Sequence, residues 1–359
     1  MELSAQEKSY IWLDSFSLTD SEKRKLIESC SSVVGVVKNF STLRTVFESF
    51  SKLDLYERMQ KTLTDNGSYF SLVLAGLKES EITPITRESA LYPAEWSNES
   101  DAPFVLYAKG DLSLLSQEKF CIVGSRRTPV SALKTGEKIA KELSENYVIL
   151  TGVADGGDTA VIEGALSGSK KIICLLAGGY ASIPQSTFPL MRKVWENGLL
   201  LMPNSFDTPV RNFSYERRNK LLALLSCGAL VIGAGEKSGA LITAKYAKQY
   251  AKPLFALPYP PLSSAGSGCN QLIKHGAHLT EASSDILEFY GITPSNRPTV
   301  ELTDVERKVW DFLTQTGEAH LTEISQAIGL PVFKASSVLS ALESKGLAVK
   351  LGSNRFSAV

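Results

Sequence analysis

The segment FCIVGSRRT, residues 120–128, begins with a short apolar run and continues with polar and basic residues. Uncharged residues from Phe120 to Gly124 are typical of a strand that is buried on both faces of a parallel sheet. Gly124 lets the backbone turn tightly where the strand ends, and a helical stretch, SALKTGEKIAKELSE, begins at Ser131. A strand, a turn and a helix in this order predict the first part of a βαβ unit.

The same alternation continues to about residue 290. Short apolar runs rich in β-branched residues recur, with amphipathic stretches such as RRNKLLALLS and SGALITAKYAKQY between them. Strands that alternate with helices predict an α/β domain with a parallel sheet and helices on both faces. The further predicted strands are YVILT (147–151), KIICLL (171–176), GLLLM (198–202), GALVIG (228–233) and PLFAL (253–257).

The two flanks of this region have a different character. Residues 1 to about 80 show only the three- and four-residue spacing of one-sided helices, and prolines 84 and 93 then suggest a boundary. Prolines 294 and 298 lie in a predicted linker, ITPSNRPTVE, and the chain from 303 onward has the order helix, helix, helix, hairpin of a winged helix, with Gly329 at a turn. The expected domains are 1–85, helical; 86–292, α/β; and 300–359, winged helix.

Composition narrows the class of protein. Lys plus Arg and Asp plus Glu number 38 each, so the formal net charge is zero, and a nucleic-acid binder of this composition must gather its cations on one surface. Five scattered cysteines form no CxxC pair, which argues against a zinc ribbon and for free thiols. Neither a secretory signal nor an apolar run long enough for a membrane span is visible. We expect a cytoplasmic protein that has no membrane contact and no cofactor.

The residues after the first strand predict an anion site. Backbone N–H groups at Gly124 and Ser125 can form a nest for a phosphate, and Arg126 and Arg127 add positive charge. A dinucleotide is excluded because GxGxxG is absent and the second strand ends in Thr151-Gly152 rather than in an acidic residue. GxxxxGK[ST] is also absent, which excludes a P-loop NTPase. A mononucleotide or a nucleic-acid backbone remains.

Four later blocks reinforce this site. In TGVADGGDTA, glycines 152, 156 and 157 are denser than the capping of a helix by Asp158 requires. Three cations open the helix at RRNK, where they are electrostatically unfavourable unless an anion is present. Two further predicted helices begin with glycine and small polar residues, at SGALITA and GSGCNQLIKHGAH. His275 and His278 lack a third ligand at a recognisable spacing, so no metal site is predicted.

These blocks, in this order, resemble the DNA-processing protein A family (DprA, also called Smf), and the helical and winged-helix flanks fit the same family. The resemblance implies an extended Rossmann fold with a SAM-like N-terminal domain, a homodimer that binds single-stranded DNA without catalysis, and loading of the recombinase RecA during natural transformation. The candidate DNA-binding residues are Gly124, Ser125, Arg126, Arg127, Gly152, Gly156, Gly157, Arg217, Arg218, Asn219, Lys220, Ser238, Gly239, Thr243, Gly268, Asn270 and Lys274.

The chain departs from the family pattern in several places and is expected to be a divergent member. Lys220 stands where the family has a second arginine, which keeps the charge but loses the planar guanidinium. Family-typical residues are also replaced at Glu163, Ile183, Met202 and Tyr215. Base stacking on Tyr215 or Tyr180 is the alternative to their packing against the fold.

Two other functions share this type of domain. One is a nucleotide-processing hydrolase of the lysine-decarboxylase-like (LOG) type, whose Pro-Gly-Gly-x-Gly-Thr run does not match GAGEKSGALITA. The other is a sensor that binds a small nucleotide in the same pocket. Binding of an oligonucleotide, compared with turnover of a mononucleotide, distinguishes them.

Overall fold

A nine-stranded sheet lies at the centre of the computed structural model, which describes residues 3–65, 67–97, 99, 102–292 and 302–358. Its order is β1-β2-β6-β5-β4-β3-β7-β8-β9. Every pair from β6 to β9 is parallel, whereas β1 and β2 are antiparallel additions at one edge. The strands are β1 (Thr83–Thr86), β2 (Val105–Gly110), β3 (Lys119–Gly124), β4 (Val148–Thr151), β5 (Ile172–Leu175), β6 (Leu199–Met202), β7 (Ala229–Gly233), β8 (Leu254–Ala256) and β9 (His278–Leu279).

The mixed α/β fold with a large, mostly parallel sheet is therefore confirmed. The six strands predicted from apolar runs are β3 to β8. The sequence did not indicate β1, β2 or β9. Strand β1 contains Pro84, which cannot donate a backbone hydrogen bond and is tolerated because β1 is an edge strand that pairs only with β2.

Thirteen helices flank this sheet in the described part of the first unit. Alternate residues of β3 point to opposite faces of the sheet. Cys121 and Val123 of β3 share a hydrophobic core with α10 and α11. Helix α7 packs against the neighbouring strand β7, where Gly136 contacts Ile232. The helices are α1 (Ala5–Asp14), α2 (Asp20–Ser29), α3 (Val33–Lys38), α4 (Arg44–Ser49), α5 (Leu53–Thr64), α6 (Ser68–Glu79), α7 (Val130–Leu143), α8 (Gly157–Ser167), α9 (Phe188–Asn197), α10 (Asn212–Leu225), α11 (Ala240–Gln249), α12 (Ser267–Lys274) and α13 (Ser283–Phe289).

The strand order reverses between β3 and β7. Strands β4, β5 and β6 continue on one side of β3, and β7, β8 and β9 continue on the other. At such a switch point the loops that leave the two strands turn in opposite directions and open a crevice at the carboxyl ends. The topology therefore places a ligand site at the loops after β3 and β7.

The N-terminal helices belong to the same compact unit as the sheet, Met1–Gly291. Helices α1 and α2 each begin with a capping box, at Ser4 and Thr19. The Tyr107 hydroxyl of β2 donates a hydrogen bond to Asp14 Oδ2 at the end of α1. The boundary expected at residue 85 falls inside β1, which pairs with β2.

The second compact unit is Ile292–Val359. Val309, Leu313, Ile324, Leu339 and Leu342 form its core. Gly329, in the left-handed conformation, ends α15 at the predicted turn. Residues 293–301, most of the predicted linker, lie outside the described residues. The elements are α14 (Asp304–Thr316), β10 (Glu318–His320), α15 (Leu321–Ile328), α16 (Val332–Ser344), β11 (Ala348–Lys350) and β12 (Arg355–Ala358), with antiparallel sheet order β10-β12-β11.

Among the described residues, the helices are all too short or too polar to cross a bilayer.

Candidate functional site

A cleft of about 850 Å³ opens at the switch point of the sheet. Its walls include the loop after β3, residues 124–127, and the loop after β7, residues 235–239. Tyr215, Arg218 and Asn219 of α10 line a third side, and Ser264 and Ala265 complete it. The cleft therefore lies where the topology places a ligand site.

Asp158 lies buried at the floor of this cleft. Its predicted role as an N-cap is wrong, because α8 begins at Gly157 and Gly156 is the N-cap. Asp158 Oδ1 instead accepts a hydrogen bond from the Gly124 amide (3.1 Å), and Oδ2 accepts one from the Ala154 amide (3.1 Å). One carboxylate thus ties the loop after β3 to the loop after β4.

The backbone amides of these loops are largely used within the protein. Besides Gly124, the Ser125 amide donates to Gly233 O (2.8 Å) and the Gly157 amide donates to Ser125 O (3.1 Å). This differs from the nests expected at Gly124 and Gly156–Gly157, because these three donors already have acceptors. A bound anion must therefore rely more on side-chain cations than the sequence indicated.

The same contacts explain why glycines are so dense here. A Cβ at Gly156 would lie 2.9 Å from Arg126 O, and one at Gly157 would collide with the backbone of Gly124. Gly156 also has a φ of +83°, a conformation that disfavours other residues. The glycines let two loops pack backbone against backbone at the floor of the cleft.

Arg218 provides a buried cation beside Asp158. Its Nε donates to Asn219 Oδ1 (2.8 Å) and its Nη1 donates to Leu175 O (3.1 Å). Gly152 makes this position possible, since a Cβ there would overlap the guanidinium and lie 2.5 Å from Asp158 Oδ2. Burial raises the pKa of Asp158, while attraction to Arg218 and the two amide hydrogen bonds act in the opposite direction.

Asn219 and Thr243 connect α10 and α11 at the cleft. Asn219 Nδ2 donates to Gly239 O (3.0 Å), which fixes the start of α11 beside α10. Thr243 lies one turn into α11 and is fully buried. Its Oγ1 has no hydrogen-bond partner among the described residues, although it lines the cleft. A buried hydroxyl without a partner is costly, so a ligand group that reaches it would gain a hydrogen bond.

Exposed cations surround the mouth of the cleft. Arg126 and Arg127 follow β3, and Lys237 lies opposite them after β7, next to Glu236 and Ser238. Lys237 is not among the candidate residues predicted from the sequence, although its place in the loop after a predicted strand was a signal. Tyr215, with 39% of its surface exposed, also lines the cleft.

Two predicted cations face away from the cleft. Arg217 Nη2 lies 2.6 Å from Asp20 Oδ2 of α2, and Lys220 Nζ lies 2.8 Å from Glu99 Oε2. Of the RRNK cluster, only Arg218 and Asn219 line the cleft. The prediction that this cluster opens a helix is wrong, because α10 begins at Asn212, five residues earlier.

The last predicted block shapes the protein next to the cleft. The Gly268 amide donates to Ala234 O (2.8 Å), and Asn270 makes two hydrogen bonds to the backbone of Tyr259. Lys274 is exposed on α12 and does not line the cleft. These contacts hold the loop before α12 in place. Gly268 and Asn270 therefore shape that loop and do not line the cleft themselves.

Tyr180, His275 and His278 do not line the cleft. The Tyr180 ring packs against Phe188, Trp195 and Phe206, which favours the packing alternative for this residue. Within the described ranges, no group of three or more His, Cys, Asp or Glu residues could hold a metal ion.

Sequence comparison identifies the family. The family "DNA recombination-mediator protein A" matches residues 83–291, from β1 to just beyond α13. This range is more than half of the chain and contains the whole sheet and cleft. The chain belongs to this family. Helices α1 to α6 and the C-terminal unit lie outside the matched range.

Individual relatives agree with this assignment. The DNA processing protein DprA of Streptococcus pneumoniae is 33% identical over 197 residues, which is 55% of this chain and 70% of the relative. The solved structure of DprA from that species aligns with a TM-score of 0.64 at 26% identity, covering 80% of this chain and 98% of the other. DprA from Helicobacter pylori, whose structure is described as showing its single-stranded DNA binding mode, has a TM-score of 0.53 at 28% identity and covers 58% of this chain and 95% of the other.

Proposed function

We propose that this protein binds single-stranded DNA in the cleft and does no chemistry on it. The observation that carries the proposal is the charge of the cleft. Among the residues that the structure describes, four cationic side chains and two carboxylates line it, although the whole chain has equal numbers of both. Cations gathered in one concave surface attract a polyanion even when the net charge is zero. The DNA-binding relative from Helicobacter pylori supports the same reading.

The proposed contacts follow from the position of each side chain. Arg126, Arg127 and Lys237 at the mouth neutralise phosphates of the strand, and each neutralised phosphate contributes about −0.7 to the slope of log affinity against log salt. Arg218 and the Thr243 hydroxyl contact the part of the DNA strand that enters the cleft most deeply. Tyr215 offers its exposed ring to a base, and such stacking is tolerant of sequence.

Family membership supports a wider role. We propose that the protein acts in the cytoplasm as a homodimer and loads RecA onto single-stranded DNA during natural transformation, as the family resemblance implies. We also propose that residues 1–85 form a SAM-like domain and residues 300–359 a winged helix. Six helices precede the sheet, and three helices with a three-stranded antiparallel sheet follow it, which supports these assignments.

Parallel titrations test the proposed function. Fluorescent oligo-dT and a panel of nucleoside monophosphates are titrated separately, at two salt concentrations, and hydrolysis of each mononucleotide is followed. We expect tight, salt-dependent binding of oligo-dT and no turnover. Turnover of a nucleoside monophosphate would instead identify a LOG-like hydrolase, and tight binding of a mononucleotide with weak binding of oligo-dT would identify a nucleotide sensor.

Arg126→Ala is expected to weaken oligo-dT binding and to reduce the magnitude of the salt slope by about 0.7, because one phosphate loses its counter-charge. Fluorescence anisotropy at several salt concentrations measures both quantities. Arg192→Ala is the matched control, since Arg192 is an exposed arginine of α9 that pairs with Glu196 away from the cleft. Equal slopes for wild type and Arg126→Ala would remove Arg126 from the interface.

Gly239→Ala tests whether DNA fills the space beside α11. A Cβ at Gly239 would meet nothing within 4 Å in the free protein, and the φ of −59° suits alanine. We therefore expect an unchanged melting temperature with weaker oligo-dT binding, since the added methyl group occupies space that the bound strand needs. Unchanged affinity would show that the strand does not approach this end of α11.

A further inference from the structure

A half-buried ion pair joins the N-terminal helices to the helix that carries the cleft residues. Arg217 Nη2 of α10 lies 2.6 Å from Asp20 Oδ2 of α2, and the two side chains are only 21% and 16% exposed. Arg217 Nη1 also donates to Asn204 Oδ1 at 3.1 Å. Both ends of the guanidinium are therefore held by the protein, on the side of α10 that faces α2.

The acidic partner of this pair is itself firmly placed. Lys23, one turn further along α2, lies 3.8 Å from Asp20 and 2.5 Å from Asp14 Oδ1. Asp14 Oδ2 accepts a hydrogen bond from the Tyr107 hydroxyl of β2. Asp14 and Lys23 are both buried. The network runs from the sheet through α1 and α2 to Arg217, so it fixes α10 relative to the sheet.

Arg218 and Asn219 depend on the orientation of α10. Arg218 reaches the floor of the cleft through the space that Gly152 leaves and donates to Leu175 O. Neighbouring positions on a helix point about 100° apart, so Arg217 faces α2 while Arg218 faces the cleft. A small rotation of α10 would move the Arg218 guanidinium out of its fitted position.

We propose that Asp20 and Arg217 are positioning residues: their ion pair lets the N-terminal helices hold α10 so that Arg218 and Asn219 face the DNA. In this assignment Arg217 touches no phosphate. The inference rests on the proposed function, because it concerns the same cleft. It gives the N-terminal helices, all of which lie outside the matched family range, a direct part in DNA binding.

The salt dependence of binding separates positioning from contact. Asp20→Ala and Arg217→Ala are each expected to lower oligo-dT affinity about tenfold, the order of effect of coupled network residues, with the salt slope unchanged. Arg126→Ala, which removes a phosphate contact, reduces the magnitude of the slope by about 0.7. The charge-reversed pair, Asp20→Arg with Arg217→Asp, is expected to bind oligo-dT more tightly than either single charge reversal. Asp20→Glu, which keeps the carboxylate, is expected to retain more affinity than Asp20→Ala.

Lys52→Ala is the matched control for stability. It removes another ion pair of α2, with Glu22 at 2.7 Å, that does not reach α10, and it should leave the affinity unchanged even if the melting temperature falls. If Asp20→Ala does not fold, Asp20→Glu and the charge-reversed pair supply the test. Two results would then contradict positioning: a charge-reversed pair that binds no better than Asp20→Arg or Arg217→Asp alone, and an Asp20→Glu variant that binds no better than Asp20→Arg.

Two results would overturn the inference. One is wild-type affinity in Asp20→Ala, and the other is a reduced salt slope in Arg217→Ala, which would make Arg217 a phosphate contact. Wild-type protein that does not bind oligo-dT at all would count against the proposed function instead, so the two failures are distinguishable.

Discussion

Gly152→Ala is expected to reduce oligo-dT affinity at least about a hundredfold, as expected when a buried, hydrogen-bonded cation is lost from an interface. The substitution adds one methyl group directly after β4. That carbon would overlap the Arg218 guanidinium and lie 2.5 Å from Asp158 Oδ2. Gly152 directly follows a central strand and the atoms that the methyl group meets first belong to the Arg218 side chain, so the arginine must leave its place. Anisotropy titration with labelled oligo-dT measures the loss.

The displaced arginine also affects stability. Arg218 would lose the hydrogen bond to Leu175 O, and Asp158 would lose a nearby positive charge in a buried site. We expect the free energy of unfolding to fall by about 1–3 kcal/mol, the usual cost of forcing extra volume into a packed interior. Thermal melts followed by circular dichroism measure this, and binding is assayed well below the melting temperature.

Gly76→Ala is the matched control. Gly76 lies within α6, where a Cβ meets nothing within 4 Å, so the same chemical change should preserve affinity and slightly raise stability. A Gly152→Ala protein that binds oligo-dT like wild type would show that Arg218 does not need its buried position. The floor of the cleft would then not be part of the DNA site.

The sheet was predictable because its strands are buried on both faces. Six runs such as FCIVG and GALVIG are continuously apolar, and no helix of useful amphipathicity fits them. Strand β1 escaped prediction because Pro84 reads as a break, and only its edge position makes a proline acceptable. Strand β2 was hidden because it lies before the first recognised βαβ unit and pairs with a strand distant in sequence, β6.

The cleft was predictable in position but not in detail. Arg126 follows a strand end, and such ends meet at one edge of a parallel sheet. Arg217 and Lys220 carry the same charge as Arg218, and sequence alone does not show which of these faces the cleft. Their acidic partners, Asp20 and Glu99, are far away in the chain. Long-range pairing of this kind leaves no local pattern.

Asp158→Asn is expected to disrupt the floor of the cleft by removing a hydrogen-bond acceptor rather than by adding volume. The carboxylate accepts hydrogen bonds from the amides of Gly124 and Ala154, and an asparagine can accept only one while its amino group faces the other donor. Leaving one buried amide unpaired costs about 1–3 kcal/mol of stability. The loop that carries Arg126 loses its anchor, so oligo-dT affinity should fall together with the free energy of unfolding measured in urea.

Asp155→Asn is the control for this substitution. Asp155 is an exposed carboxylate in the loop between β4 and α8, three residues before Asp158, so its replacement makes the same change of charge without breaking a contact at the floor. We expect near-wild-type stability and slightly tighter oligo-dT binding, because one negative charge near the cleft is removed. Equal losses in both variants would mean that charge, and not the anchoring of the loops, determines the effect.

The pH dependence of the free energy of unfolding tests the raised pKa of Asp158. Burial raises its pKa above the ordinary value of 3.8, so the folded protein holds this proton more tightly than the unfolded chain. The resulting stabilisation is fully present below pH 3.8 and is lost as the pH rises through the folded pKa. Asparagine does not titrate, and Asp20, whose pKa burial also raises, is common to both proteins. The stability of wild type minus that of Asp158→Asn should therefore decrease as the pH rises above 3.8, and a difference that grows with pH would show that hydrogen bonds and Arg218 outweigh burial at this carboxylate.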